Sequence, residues 1–98
     1  MRFKISTRIR QKMLAKHGVT EKELVECFEN RRGADLFDTR AEHITDPLTR
    51  WFLAHTNHCR LLKVVFIPVD GVMEIKSVFE PNEEEIRIYR KYGLAKPR

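Results

Sequence analysis

Leu61-Leu62-Lys63-Val64-Val65-Phe66-Ile67-Pro68-Val69-Asp70-Gly71-Val72-Met73-Glu74-Ile75-Lys76-Ser77-Val78-Phe79 is the stretch that decides the fold. Asp-Gly between apolar runs is a strong two-residue hairpin signal, because a primed turn needs positive φ at both central positions. The flanking runs, residues 61–67 and 72–79, therefore form two antiparallel strands. Along the second, alternation assigns Met73, Ile75, Ser77 and Phe79 to one face and Val72, Glu74, Lys76 and Val78 to the other. Upstream, residues 50–56 form another strand, which reaches the first through a turn at Asn57-His58. Residues 34–38 read as a weak strand. Residues 39–48 are the one long loop, with Asp46-Pro47 near its end, and loops of that length are often functional or mobile.

The N-terminal part reads as a short edge strand over residues 2–5 and a helical hairpin. Ser6 or Thr7 caps a helix that runs to about His17, with Ile9, Met13 and Leu14 as its apolar stripe. Gly18 ends it. Thr20 and Glu23 then form a capping box inside a Val19–Leu24 hydrophobic staple. The second helix runs to about Asn30 and buries Leu24, Val25 and Phe28, and Arg31-Arg32-Gly33 breaks it. At the other end, Pro81 and Asn82 open a last helix with a second capping box, Asn82 with Glu85. Glu83 to Glu85 sit at the positive end of its dipole, and Arg90 and Lys91 at the negative end. Ile86 and Tyr89 pack on the sheet, and Gly93 stops the helix. The expected fold is α+β: a mainly antiparallel sheet of four or five strands, two N-terminal helices and one C-terminal helix. Residues 1–98 make one domain, with 94–98 as a disordered tail.

Composition narrows the function. Hydrophobic residues make up 42% and charged residues 34%, as in a globular protein. The longest apolar run is far shorter than the roughly 20 residues that span a bilayer, and no signal-peptide pattern follows Met1. A cytoplasmic protein with no membrane partner is expected. Cys27 and Cys59 are then two free thiols. Nineteen basic against 14 acidic residues leave a net charge of +5, which favours an anionic partner, RNA above all. The charge is segregated. The first twenty residues hold no Asp or Glu, whereas Glu21, Glu23, Glu26 and Glu29 line the second helix. Those glutamates would repel phosphate, so the two helices form an ordinary hairpin and not a DNA-reading motif.

Several groups are candidates for chemistry. Lys63 and Lys76 lie on central strands, where cations are unusual unless the face meets solvent or a ligand. With Arg50 and Arg60 at neighbouring strand ends they suggest a cationic concavity. It can hold an RNA backbone or stabilise the added charge of a phosphoryl-transfer transition state. Trp51 either stacks on a base or is buried. His43, in the long loop, is the natural acid or base for cleavage at a 2′-hydroxyl, with Glu85 and Tyr89 as the other candidates. His55-Thr56-Asn57-His58-Cys59 is a crowded hairpin turn, not the two separated ligand pairs of a zinc site. No metal or cofactor is expected. No nucleophile elbow and no phosphate-binding glycine loop is present.

Lys16-His17-Gly18-Val19, the capped helix through Val25 to Phe28, Arg60 to Phe66, Ile75-Lys76-Ser77 and Glu85 to Tyr89 occur in an order that resembles BrnT-type toxins. The likeness runs from about Lys16 to Tyr92. It implies a RelE-like fold, metal-independent RNA cleavage and a small antitoxin partner. In that frame Arg40, Arg50 and Arg60 hold phosphates, Lys63 and Lys76 stabilise transition-state charge, and His43 moves the proton. The chain departs from the family at Phe3-Lys4-Ile5-Ser6, where an aromatic-Trp-Asp opening is usual. It departs again at Val78-Phe79-Glu80-Pro81, where arginines are usual. A non-catalytic RNA- or protein-binding module acting through Arg8, Arg10 and Lys12 is the alternative. The segment from Asp38-Thr39-Arg40 through His43 and Asp46-Pro47 to Trp51-Phe52 also resembles small bacterial proteins labelled ADP-ribosyl-dinitrogen-reductase hydrolases. That activity is associated with a larger helical protein and a two-metal carboxylate site, and this chain has no clustered Asp ligands.

Overall fold

The computed structural model describes residues 1–40, 42 and 44–94. The chain runs β1 (Arg2–Lys4), α1 (Thr7–His17), α2 (Glu21–Glu29), β2 (Leu36–Phe37), β3 (Arg50–His55), β4 (Leu61–Val69), β5 (Val72–Phe79) and α3 (Glu83–Ile88). A π-helical turn, Tyr89–Gly93, follows α3. One five-stranded sheet has the order β1-β5-β4-β3-β2. Its β2–β3, β3–β4 and β4–β5 pairs are antiparallel, and only the β1–β5 pair is parallel. The α+β class and the mainly antiparallel sheet are as expected. The sheet is mixed because the chain crosses through α1 and α2 from β1 at one edge to β2 at the other, and β1 lies parallel to the last strand, β5.

Local chemistry sets the element ends. Ser6 accepts from the Ile9 amide to start α1, and Gly18 closes it at φ 60°. Thr20 and Glu23 satisfy each other's free amides at the start of α2, and Asn82 and Glu85 do the same for α3. Asp70 and Gly71 both take positive φ, 50° and 79°, as the primed turn requires.

The sheet lies between two helical layers. Phe52, Val64 and Val78 share a register position facing α1 and α2. Phe28 of α2 packs there against Phe3, Phe52 and Phe66, with centroids 4.9–5.3 Å apart. On the opposite face Trp51 meets Tyr89 at 5.7 Å. The Tyr89 hydroxyl donates to the Ala34 carbonyl at 2.8 Å, and burial pushes that phenol up to about 12.

Four sequence expectations are corrected. Leu14 and Val25 are exposed and leave the apolar faces to Met13, Leu24, Cys27 and Phe28. Glu26 is not part of a solvated acidic face. It is buried, and its carboxylate accepts the Asn57 amide at 2.9 Å, so it holds the β3–β4 turn. The alternation of β5 breaks at a bulge: Val65 pairs with Ser77 but Phe66 pairs with Ile75, which leaves Lys76 as the extra residue. Ile75 and Val78 consequently both enter the helix-side core. The turn after β3 is also wider than a two-residue hairpin, because Thr56 bonds Arg60 and Cys59 takes φ 65°. His43 and residues 95–98, most of the expected tail, lie outside the described residues.

Candidate functional site

The candidate site lies on the face of the sheet away from α1 and α2. Register places Trp51, Val65 and Ser77 in one row and Leu53, Lys63 and Phe79 in the next. The bulge turns Lys76 onto the side of Ser77, and the start of the long loop folds over the row ends. The result is an open cleft of about 530 Å³ whose walls include Arg40, Thr49, Trp51, Lys63, Lys76 and Phe79.

Lys63 forms the floor. It is 8% exposed, an unusual depth for lysine. Its ammonium lies 4.6 Å from the Trp51 ring centroid and 5.5 Å from that of Phe79, and it donates to Glu85 Oε2 at 2.5 Å. The other Glu85 oxygen accepts the Asn82 amide at 2.9 Å. One carboxylate thus caps α3 and neutralises the cleft floor. Burial without a counterion would be costly for both groups, so this pair pins α3 over the sheet.

The other two cations are paired as well. Arg40 reaches Asp38 through Nε at 3.0 Å and Nη2 at 2.9 Å, and this hydrogen-bonded carboxylate pushes the guanidinium up. Lys76 donates to Glu74 at 2.7 Å, and that bond holds the Glu74 carboxyl below its ordinary value. The expected cationic concavity is therefore a charge-balanced one, with Asp38, Glu74 and Glu85 each set on one cation.

Among the expected site residues, Arg40, Lys63, Lys76 and Trp51 meet in this cleft. Arg50 and Arg60 do not join them. His55 pairs with Leu61 and Arg50 with Phe66, so Arg50 and the residue preceding β4 stand at opposite ends of the hairpin. Arg50 alternates to the far side of β3 from Trp51, and its guanidinium covers the Phe37 ring at 4.9 Å. Arg60 is a clamp. It donates to the carbonyls of His17 and Gly18, both at 2.8 Å, and it binds Glu23 at 3.3 Å and Glu80 at 3.0 Å. Those contacts tie the α1–α2 junction to the sheet. Trp51 is 8% exposed, so it contributes mainly as packing under Lys63.

Sequence reasoning undervalued Glu85, because the capping box alone accounts for it. The signal that finds it is a buried lysine on the face that α3 covers. Among the described residues, no group of three or more His, Cys, Asp or Glu side chains is placed to hold a metal ion. No described helix is long and apolar enough to cross a membrane. A second hollow of about 620 Å³ runs along one side of α3 past Glu83, Ile86, Arg87, Arg90 and Lys91. It is open on the helix surface, and its Arg87 is already paired with Glu84.

Fold and site together define a small α+β domain with a polar, charge-balanced cleft on the open side of its sheet. The chain matches no family model and no curated protein.

Proposed function

We propose that this chain is the toxin of a bacterial toxin–antitoxin pair, a metal-independent ribonuclease of the BrnT-type, RelE-like kind that works in the cytoplasm and is neutralised by a small partner protein. The observation that supports this reading is the convergence of Arg40, Lys63 and Lys76 in one open cleft. In such a cleavage the ribose 2′-hydroxyl gives its proton to a base and attacks the neighbouring phosphorus. The P–O5′ bond breaks and the 5′-oxygen leaves with a proton. The products are a 2′,3′-cyclic phosphate and a 5′-hydroxyl. Arg40 and Lys76 exchange their carboxylates for the non-bridging oxygens, and Lys63 faces the charge that builds on phosphorus. His43 is the proton-transfer group that the sequence favours, with the Glu85 carboxylate as the second candidate.

Induced expression in a bacterial host tests the proposal by growth and by the integrity of total RNA. Growth arrest with cut RNA, lost in the well-exposed pair Arg40→Ala/Lys76→Ala, is the expected result. Normal growth with intact RNA from soluble, folded protein would favour a non-catalytic binding module. The carboxylate on every cleft cation is the observation that speaks for that second reading.

A further inference from the structure

We propose that Arg8, Lys12 and Lys16 form an RNA-backbone track on α1, so that affinity and chemistry reside on separate surfaces. This rests on the RNA reading of the cleft. The three residues are spaced four apart, which puts them on one flank of the helix about 6 Å from turn to turn. All three are exposed, and none has an ion-pair partner among the described residues. The cleft cations, in contrast, all sit on carboxylates. A polyanion therefore gains most by neutralising α1, where no internal ion pair has to break first.

The flank has a defined direction. Ile9 and Met13 face the core, and Arg10 pairs with Glu21 of α2 on the other side of the helix. By helical periodicity the 8-12-16 stripe lies on the side away from α2. α1 packs on β5 and α2 on β3 and β4, so the stripe faces the β1 edge of the sheet. His17 at the C-terminal end of α1 lies on the Arg10 side of the helix, where its ring stands 5.6 Å from Phe79.

An acidic protein segment fits this flank less well than a phosphate backbone. Protein interfaces are centred on apolar and aromatic anchors. The exposed Leu14 of α1 lies toward the Arg10 side, and the stripe is interleaved with Gln11 and Ala15. A row of bare cations recognises phosphates through counterion release, with no base preference.

Anisotropy titration of a labelled 2′-O-methyl oligouridine, which cannot be cut at the 2′ position, tests the track across about 50 to 200 mM salt. Each single-strand phosphate contact contributes about 0.7 to the slope of log K against log salt, so Arg8→Ala/Lys12→Ala/Lys16→Ala should flatten the slope by about 2. Arg10→Ala should change it little, and cutting of a uridine dinucleotide that only the cleft holds should be unchanged in the triple variant. Arg8→Gln/Lys12→Gln/Lys16→Gln serves if the alanine variant fails to fold. An unchanged slope, or no binding by the parent protein, overturns the track. Polyglutamate competing as well as the RNA at equal charge overturns it in favour of an acidic protein partner. A flattened slope in a protein that cuts nothing upholds the track and removes the ribonuclease reading. Cutting with an unchanged slope does the reverse.

Discussion

Replacing Lys63 tests how the cleft is held together. Its side chain is 10% exposed and that of its partner Glu85 is 18% exposed. Breaking a fully buried pair by removing one partner costs about 3–5 kcal/mol. Glu85 keeps some solvent and its Asn82 amide, so the cost falls somewhat below that range, at about 2–3 kcal/mol. The ammonium also loses its place over Trp51 and Phe79, at about 0.5–1 kcal/mol for each ring at a partly exposed site. Lys63→Ala should therefore cost about 3–5 kcal/mol. At roughly 4–8 °C per kcal/mol for a domain of this size, Tm should fall by about 15 °C or more. Lys63→Met keeps the stem and removes only the charge, so it should cost less. Adding Glu85→Gln to Lys63→Met should restore at least about 1 kcal/mol, because the carboxylate left unpaired is then gone and its amide oxygen still caps α3. Thermal and urea unfolding followed by far-UV circular dichroism measure the parent, Lys63→Ala, Lys63→Met, Glu85→Gln and the double variant. A Lys63→Met protein that melts within about 2 °C of the parent, or strictly additive costs in the double variant, would refute the reasoning. The same arithmetic explains why Lys63→Ala is a poor probe of chemistry: lost activity there would report lost folding.

Two further outcomes follow from titratable groups. Burial, then the charges of Glu23 and Glu26, push the Cys27 thiol up to about 12, and its sulfur contacts the Ala54 carbonyl at 3.7 Å. Cys59 is exposed in the turn. A thiol reagent at pH 8 should label Cys59 in the native protein and reach Cys27 only on unfolding; fast labelling of both would contradict the packing. Desolvation against Phe79, then the charges of Lys16 and Lys12, hold the His17 imidazole below its ordinary value. The unfolded chain then binds more protons below about pH 6.5, so this contribution is present above that pH and is lost as pH falls through it. His17→Gln should flatten the fall in Tm between about pH 7 and 5, and an identical pH profile in the variant would exclude His17 as its source.

Much of the architecture was legible from residues close in sequence. Ser6, Gly18, the two capping boxes and Asp70-Gly71 act through backbone groups within about four residues, so the order and ends of the elements follow from local chemistry. Lys63 and Lys76 stand out in the sequence, because a lysine on a central strand conflicts with burial whatever the topology. Their partners were not legible. Glu85 stands 22 positions from Lys63, and nothing in its neighbourhood distinguishes it from an ordinary capping glutamate. Arg60 reads as a ligand-binding cation and is in fact the clamp on the His17 and Gly18 carbonyls, 43 and 42 positions away.

The sequence by itself determined where helices and strands begin and end, because caps, turns and periodicity operate over a few residues. Tertiary structure alone decided which side of the sheet each charge occupies and what it meets there. The one-residue bulge at Lys76 reverses the alternation along β5, and a single-residue change of register moves every following side chain to the other face. Whether a cation faces solvent, an aromatic ring or a carboxylate is then set by elements distant in the chain, and the energy of that choice belongs to the packed pair and not to either residue.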